Sequence, residues 1–346
     1  DVTTMYFESK QCDNLREFGF SKDCKFNEVQ IVLSLLTDQN GRPLSYELFK
    51  GSMYEGHTLL SCLDSLRKIY AIKKLVIVAD RGMYSATNLA TISEMRFEYI
   101  FGTKLRTSKA DIKNAVFDSE GYEYQNEDEA EQFKHKKIVN NERADHKENI
   151  VVAWSKKRAS KDAKDRTRLI DKATKLAASG NINDKRGGKK YLKMTKTSAE
   201  VDQEKIEQDR KWDGYYGIST KSDLNSKEII SAYHNLWKIE DSFRLMKSYF
   251  ETRPMFHWTE KRISGHIMLN FIAMIFERYI EDKINEEIDK NKKRISANKI
   301  REALISLQKS VLIIDGQRFY SYAKLKQKSQ LLLQKLAIDI PKSRLG

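Results

Sequence analysis

The sequence predicts an α/β fold in which a mixed sheet is flanked by helices. The first fifty residues hold three successive strand patterns, and the next fifty alternate helical periodicity with short apolar runs. At 346 residues the chain exceeds one ordinary domain and can bury a sizeable core.

Asp1-Val-Thr-Thr-Met-Tyr-Phe-Glu8 is rich in β-branched and aromatic residues and reads as a strand. Residues 27–37 and 44–50 continue as strands across a loop containing Asn40-Gly41, so the three are expected to be antiparallel neighbours. Residues 58–70 have helical periodicity. Leu75-Val-Ile-Val-Ala-Asp80-Arg-Gly82 is a short buried strand ending in an acidic residue and a loop glycine; 85–95 is helical and 97–102 a strand. The pattern then breaks between 105 and 212, where strands at 134–140 and 149–154, a basic helix at 161–179, a turn at Arg186-Gly187-Gly188 and a strand near Tyr191 are expected. Residues 214–220 return as a strand feeding a helix, which Arg253-Pro254 ends. The tail from Asn291 alternates two amphipathic helices around residues 311–320. Four segments follow: a core at 1–104, a basic insertion at 105–212, the returning core at 213–282 and a helical tail at 283–346.

Three acidic residues stand out. In Tyr233-His-Asn-Leu-Trp-Lys-Ile-Glu240-Asp-Ser-Phe-Arg-Leu-Met-Lys247, a single helix would align Tyr233, Leu236, Glu240, Phe243 and Lys247, placing a carboxylate in an apolar stripe where it needs a partner. A metal ion would satisfy Glu240; so would surface pairing with Lys247 or Arg244. Asp80 sits at a strand's carboxyl edge, where α/β sheets bind ligands, although it reads equally as the cap of the helix beginning near Ser85. Asp1 opens the first strand, where the alternative is a frayed terminus. Acids from two strands and a helix converge only if the strands are neighbours and the helix packs across their ends. Such oxygen ligands suit hard divalent cations, and two ions about 4 Å apart favour in-line phosphodiester displacement.

These residues resemble the motifs of bacterial insertion-sequence transposases of the DDE type, in the group marked by a Tyr-x2-Arg-x3-Glu-x6-Lys signature. Tyr233, Glu240 and Lys247 match that spacing; Leu236 stands where the signature has arginine, and Arg244, two helical turns on, could supply a charge nearby. Asp1-Val-Thr-Thr and Ala79-Asp80-Arg-Gly-Met resemble the motifs around the first and second aspartates, and Met255-Phe-His257-Trp-Thr-Glu-Lys-Arg-Ile-Ser-Gly-His266-Ile the segment after the glutamate helix. The likeness runs from residue 1 to about 282. It implies an RNase H-like fold with a mainly β insertion between the second aspartate and the glutamate helix. It also implies Asp1, Asp80 and Glu240 as catalytic residues and ligands of two Mg²⁺ ions, which Mn²⁺ can replace, and Tyr233 and Lys247 as phosphate contacts. The implied partners are DNA, as terminal inverted repeats and target, and a second copy in a synaptic homodimer. The implied reaction is nicking at transposon ends followed by strand transfer, in a bacterial cytoplasmic protein held at the nucleoid when bound to DNA.

Composition agrees with a polyanionic partner: 63 Lys+Arg against 49 Asp+Glu, a formal charge of +14 and a pI near 9.4. Residues 151–200 carry 15 Lys+Arg and 5 Asp+Glu, while 118–131 carry seven acidic residues and no basic one. The basic window, with Lys156, Lys157 and Arg158 foremost, is therefore the expected phosphate-contact region, or else a solvated helical face. Cys12, Cys24 and Cys62 lack metal-ligand spacing and read as reduced thiols. The longest apolar run, 267–276, includes Asn270, is too short to span a bilayer and reads as a core helix; no membrane partner is expected. The first residue is Asp rather than Met, which suggests an upstream portion. Two other readings stay open: a phosphatase of the haloacid dehalogenase type, with Asp1 as nucleophile and Asp80 as metal ligand, and a catalytically inactive DNA-binding remnant.

Overall fold

The computed structural model describes residues 1–70, 74–124, 133–143, 146–179, 188–194, 199–286, 294–306 and 308–339. The expected turn at Arg186-Gly187 and the acidic run beyond Tyr124 lie outside the described residues. Two compact units divide the chain, one of Asp1–Met53 with Trp237–Gly346 and one of Tyr54–Leu236.

The first unit opens with β1 (Val2–Tyr6), β2 (Gln30–Thr37) and β3 (Pro43–Lys50), an antiparallel sheet in that order. The central strand β2 is buried on both faces from Gln30 to Leu35, as its nearly unbroken apolar run requires. The loop before β3 turns on Gly41, whose φ of +83° favours glycine; a Cβ there would also lie 2.9 Å from Lys238 Cβ. Asp38 Oδ1 closes that loop by accepting from Asn40 N–H (2.8 Å) and Arg42 N–H (2.9 Å).

The second unit begins with α1 (Glu55–Ile69), β4 (Val76–Ala79), α2 (Ala86–Glu94), β5 (Glu98–Thr103) and α3 (Ala110–Phe117). There follow β6 (Glu123–Tyr124), β7 (Phe133–Arg143), β8 (His146–Ser155), α4 (Lys156–Ser179), β9 (Leu192–Met194), β10 (Ala199–Val201), α5 (Gln203–Arg210), β11 (Tyr215–Thr220) and α6 (Ser226–His234). Its main sheet is six-stranded and mixed, in the order β4-β5-β11-β8-β7-β6; β4 and β5 are parallel and the other pairs antiparallel. Alternation along β8 sends Ile150 and Val152 into a cluster with Ile112 and Val116 of α3, and Val151 and Ala153 into a cluster with Ile229 and Ile230 of α6. Helices thus cover both faces. The strands expected in the insertion join the sheet of β4 and β5, because β8 pairs with β11 along its length. The same stretch also holds the 24-residue α4, which starts five residues earlier than expected, since Ser155 Oγ accepts from Arg158 N–H (3.2 Å) and closes its first turn.

The first unit resumes with α7 (Trp237–Arg244), a π-helical turn (Leu245–Tyr249), α8 (Glu260–Asn285), α9 (Ala297–Ile305), β12 (Lys309–Ile314), β13 (Gln317–Tyr322) and α10 (Gln327–Lys335). Its core joins Met5, Ile31, Leu33 and Leu35 to Ile239 and Phe243 of α7 and Ile263, Ile267 and Met274 of α8. The apolar run in α8 is core on one face only, because Met268, Leu269, Ile272, Ile275 and Phe276 are exposed. No helix among the described residues is long and apolar enough to cross a membrane. In the tail the expected helices appear as α9 and α10, while 311–320 falls in a β-hairpin joined at Asp315-Gly316, so the tail is not wholly helical.

The single helix expected over 233–247 does not form. Asn235 N–H bonds to both Ser231 and Ala232 carbonyls and Leu236 N–H to the Tyr233 carbonyl, which tightens and ends α6 before α7 begins. Past Arg244 the backbone widens, with Phe250 N–H bonded to the Leu245 carbonyl five residues back. Tyr233, Glu240 and Lys247 therefore lie on three different helical segments. Nor is Glu240 buried: α7 buries Ile239, Ser242 and Phe243 and leaves Glu240 exposed.

Candidate catalytic carboxylates and nucleic-acid interface

Asp80 follows the last residue of β4 and is exposed. Its Oδ1 accepts from Gly82 N–H (2.8 Å), capping the 3-10 turn Arg81–Met83. The α2 helix has its own cap, since Ser85 Oγ accepts from Asn88 N–H (3.2 Å), and Asn88 Nδ2 donates to the Gly56 and Met83 carbonyls (both 2.9 Å). Asp80 thus holds the turn that carries it rather than the helix beyond.

Asp1 is half-buried and tied to β2. Its backbone nitrogen donates to the Leu35 carbonyl (3.0 Å), its carbonyl accepts from Leu35 N–H (2.9 Å), and its Oδ1 accepts from Val2 N–H (2.6 Å). A frayed terminus is therefore not what the fold contains. Arg244 is exposed and paired with Asp241, which also receives the half-buried Arg278 at 2.8 Å. Burial raises the Asp241 carboxyl, but hydrogen bonds from Arg244 and Arg278 outweigh it and hold the group below its ordinary value. Lys247 is only 10% exposed and forms an ion pair with Asp23 (3.2 Å), which Arg253 also engages. Burial lowers the Lys247 pKa against the pull of Asp23.

Within each unit, among the described residues, no group of three or more His, Cys, Asp or Glu side chains is gathered closely enough to hold a metal ion. Asp1 and Glu240 belong to one unit and Asp80 to the other.

The second unit contains a cavity of about 620 Å³ whose lining includes six basic residues, Arg81, Lys104, Arg106, Arg158, Arg166 and Lys190, against Asp162, Asp165, Asp209 and Asp213. Tyr233 and Arg158, both expected phosphate contacts, meet in its wall. Tyr233 lies across β5 because Gly102 leaves room: a Cβ there would collide with the phenol oxygen. The Arg158 guanidinium sits 5.1 Å from the centre of the Tyr216 ring, and the Tyr216 hydroxyl lies 2.8 Å from His234 Nε2. Asp209 engages Arg106 and Lys190 (2.6 Å each), and Asp213 engages Arg166. Arg81 and Lys104, by contrast, have no ion pair among the described residues. Lys156 and Lys157 are exposed on the first turn of α4. Sequence reasoning missed Arg81, Lys104 and Arg106 as wall residues, with only the proximity of Arg81 to Asp80 as a hint, whereas Lys190 falls inside the basic window at 151–200 that was expected to contact phosphates.

No curated protein matches the sequence. A cryo-EM structure of a piggyBac transposase synaptic complex with hairpin DNA is similar over 88% of this chain and 51% of that one, at 8% identity and a TM-score of 0.41. This chain therefore spans about half the length of that one. A family model described as a transposase DDE domain matches residues 1–276, a stretch that takes in the whole second unit, part of the first and all three acidic candidates, and by that match the chain belongs to the transposase DDE domain family.

Proposed function

We propose that the chain is the catalytic part of a DNA transposase, which nicks DNA at the ends of a mobile element and joins the freed 3′-OH to target DNA. The observation that carries this reading is the family match over residues 1–276, which includes Asp1, Asp80 and Glu240. These three are proposed as the catalytic carboxylates. Their donor set fits a hard divalent cation: all ligands are oxygens, Asp80 is exposed at a strand end with Oδ1 oriented by Gly82 N–H, and Glu240 is exposed on α7. Two Mg²⁺ ions, or Mn²⁺, bound there would supply a lowered water pKa and charge stabilisation at the attacking and leaving oxygens.

The chain's own contribution is positioning. Arg158, Lys156 and Lys157 offer charge to phosphates on the α4 face, and Tyr233 presents a phenol in the wall of the basic cavity. Arg244 and Lys247 are proposed to reach the element's end once phosphate competes with Asp241 and Asp23 for them. Action as a synaptic homodimer belongs to the same proposal.

The test is conversion of supercoiled plasmid to open circle in Mg²⁺, with a small phosphomonoester as second substrate. Asp80→Asn and Glu240→Gln should each abolish nicking while duplex affinity stays within about twofold, because shape is preserved and metal binding weakened. Near-normal nicking by either variant refutes the carboxylate assignment; phosphomonoester hydrolysis without nicking points to a phosphatase, and DNA binding without either activity to an inactive remnant.

A further inference from the structure

Glu148, on β8, is 1% exposed, and burying a carboxylate is costly unless donors satisfy it. Three hydroxyls converge on its Oε1: Tyr84 (2.8 Å), Tyr99 (3.0 Å) and Ser219. Tyr99 on β5 and Ser219 on β11 are fixed by the sheet. Tyr84 is different. It directly follows the 3-10 turn that Asp80 caps, its N–H donates to the Arg81 carbonyl (3.3 Å), and Met83 N–H donates to the Asp80 carbonyl (3.4 Å).

The space beside this loop is not filled. A cavity of about 420 Å³ is bounded by Arg81, Gly82, Tyr84, Lys104 and Glu148, so the loop lacks continuous packing on that side and the phenol spans the gap as a strut. The buried end of the strut is a carboxyl oxygen on which three hydroxyls converge, and an acceptor buried this deeply is costly to leave with fewer donors.

We infer that Glu148 and Tyr84 are positioning residues: the buried carboxylate holds the Tyr84 hydroxyl, and through it the Arg81–Met83 turn that presents Asp80. This rests on the assignment of Asp80 to the catalytic carboxylates. Glu148 lies 68 residues beyond Asp80 in the chain, and the sheet links the two through the pairing of β8 with β11, of β11 with β5 and of β5 with β4. Neither Tyr84 nor Glu148 is among the proposed carboxylate ligands or phosphate contacts.

The experiment measures plasmid nicking against Mg²⁺ and against DNA concentration for Tyr84→Phe, Glu148→Gln, Tyr99→Phe and Asp80→Asn, together with melting temperature. Tyr84→Phe should lower kcat and raise the Mg²⁺ half-saturation by about tenfold, the usual cost of losing an outer-shell partner, while the KM for DNA stays within about twofold. Glu148→Gln should follow it. Tyr99→Phe removes a hydroxyl from the same oxygen but leaves the strut, so it should lower the melting temperature and leave kcat and Mg²⁺ dependence within about twofold. Should Glu148→Gln fail to fold, the comparison of Tyr84→Phe with Tyr99→Phe still decides. Equal loss of activity in those two variants would make the cluster merely structural, and unchanged kcat in Tyr84→Phe beside an inactive Asp80→Asn would refute the inference alone. An active Asp80→Asn would instead remove the reading of Asp80 on which it rests.

Discussion

Replacing Lys156, Lys157 and Arg158 together with alanine should move DNA affinity and stability in opposite directions. The three cations occupy the first turn of a 24-residue helix with no acidic residue in that turn. The helix's own positive end lies there, so each cation costs about 0.3–1 kcal/mol at low salt, or about 1–3 kcal/mol for the three. Arg158 recovers part of this through Asp162 (3.9 Å) and the Tyr216 ring (5.1 Å), each contributing about 0.5 kcal/mol at an exposed site. A net gain of about 1 kcal/mol is expected on removal, seen as a rise of about 2 °C in melting temperature for a chain of this size. DNA binding should weaken. Each lost phosphate contact lowers the slope of log affinity against log salt by about 0.9, so three contacts remove about 2.7. Fluorescence anisotropy of a labelled duplex between about 50 and 200 mM salt reads the slope, and thermal melting at low salt reads stability. An unchanged slope, or a fall in stability, would show that these cations serve the fold and that the DNA path runs elsewhere.

Other outcomes follow from single contacts. Asp23→Ala leaves the half-buried Lys247 and its neighbour Arg253 without their shared acid and should cost about 2–3 kcal/mol in urea unfolding; full stability would make that pair idle. Gly41→Ala places a Cβ against Lys238 at a φ of +83° and should cost about 1–2 kcal/mol, whereas a neutral result would mean the loop relaxes freely. Burial holds His135, His234 and His266 below their ordinary value of 6.5, with Arg158 and His257 adding to the effect on the last two. The unfolded chain takes up those protons first, so stability is full above pH 6.5 and falls as pH drops from there through the lower folded values. Replacing the buried His135 with Leu should flatten that slope in melting curves between about pH 5 and 7, and an unaltered slope would assign it to other groups.

Much of the fold is local and was legible. β1, β2, β4, β5 and β11 follow from period-two or continuous apolar runs, and the Asn40-Gly41 loop from turn chemistry, because each depends on neighbours a few residues away, whereas the cap of α2 falls to Ser85 and not to Asp80. The acidic residues at strand ends were legible for the same reason. What the tertiary structure decided lies at long range. Helical spacing placed Glu240 in an apolar line with Tyr233 and Lys247; the break at Asn235-Leu236 and the π-helical turn replace the single helix that such a line requires, since hydrogen bonds at helix ends compete with periodicity and leave little trace in it. Lys247 is paired with Asp23, 224 positions away in the chain. Pairing of β8 with β11 brings Glu148 under Tyr84, and the basic cavity gathers Arg81, Arg158 and Lys190 from segments that share no periodicity. Spacing within a segment determines which side chains share a face; strand pairing and helix packing between distant segments determine which faces meet.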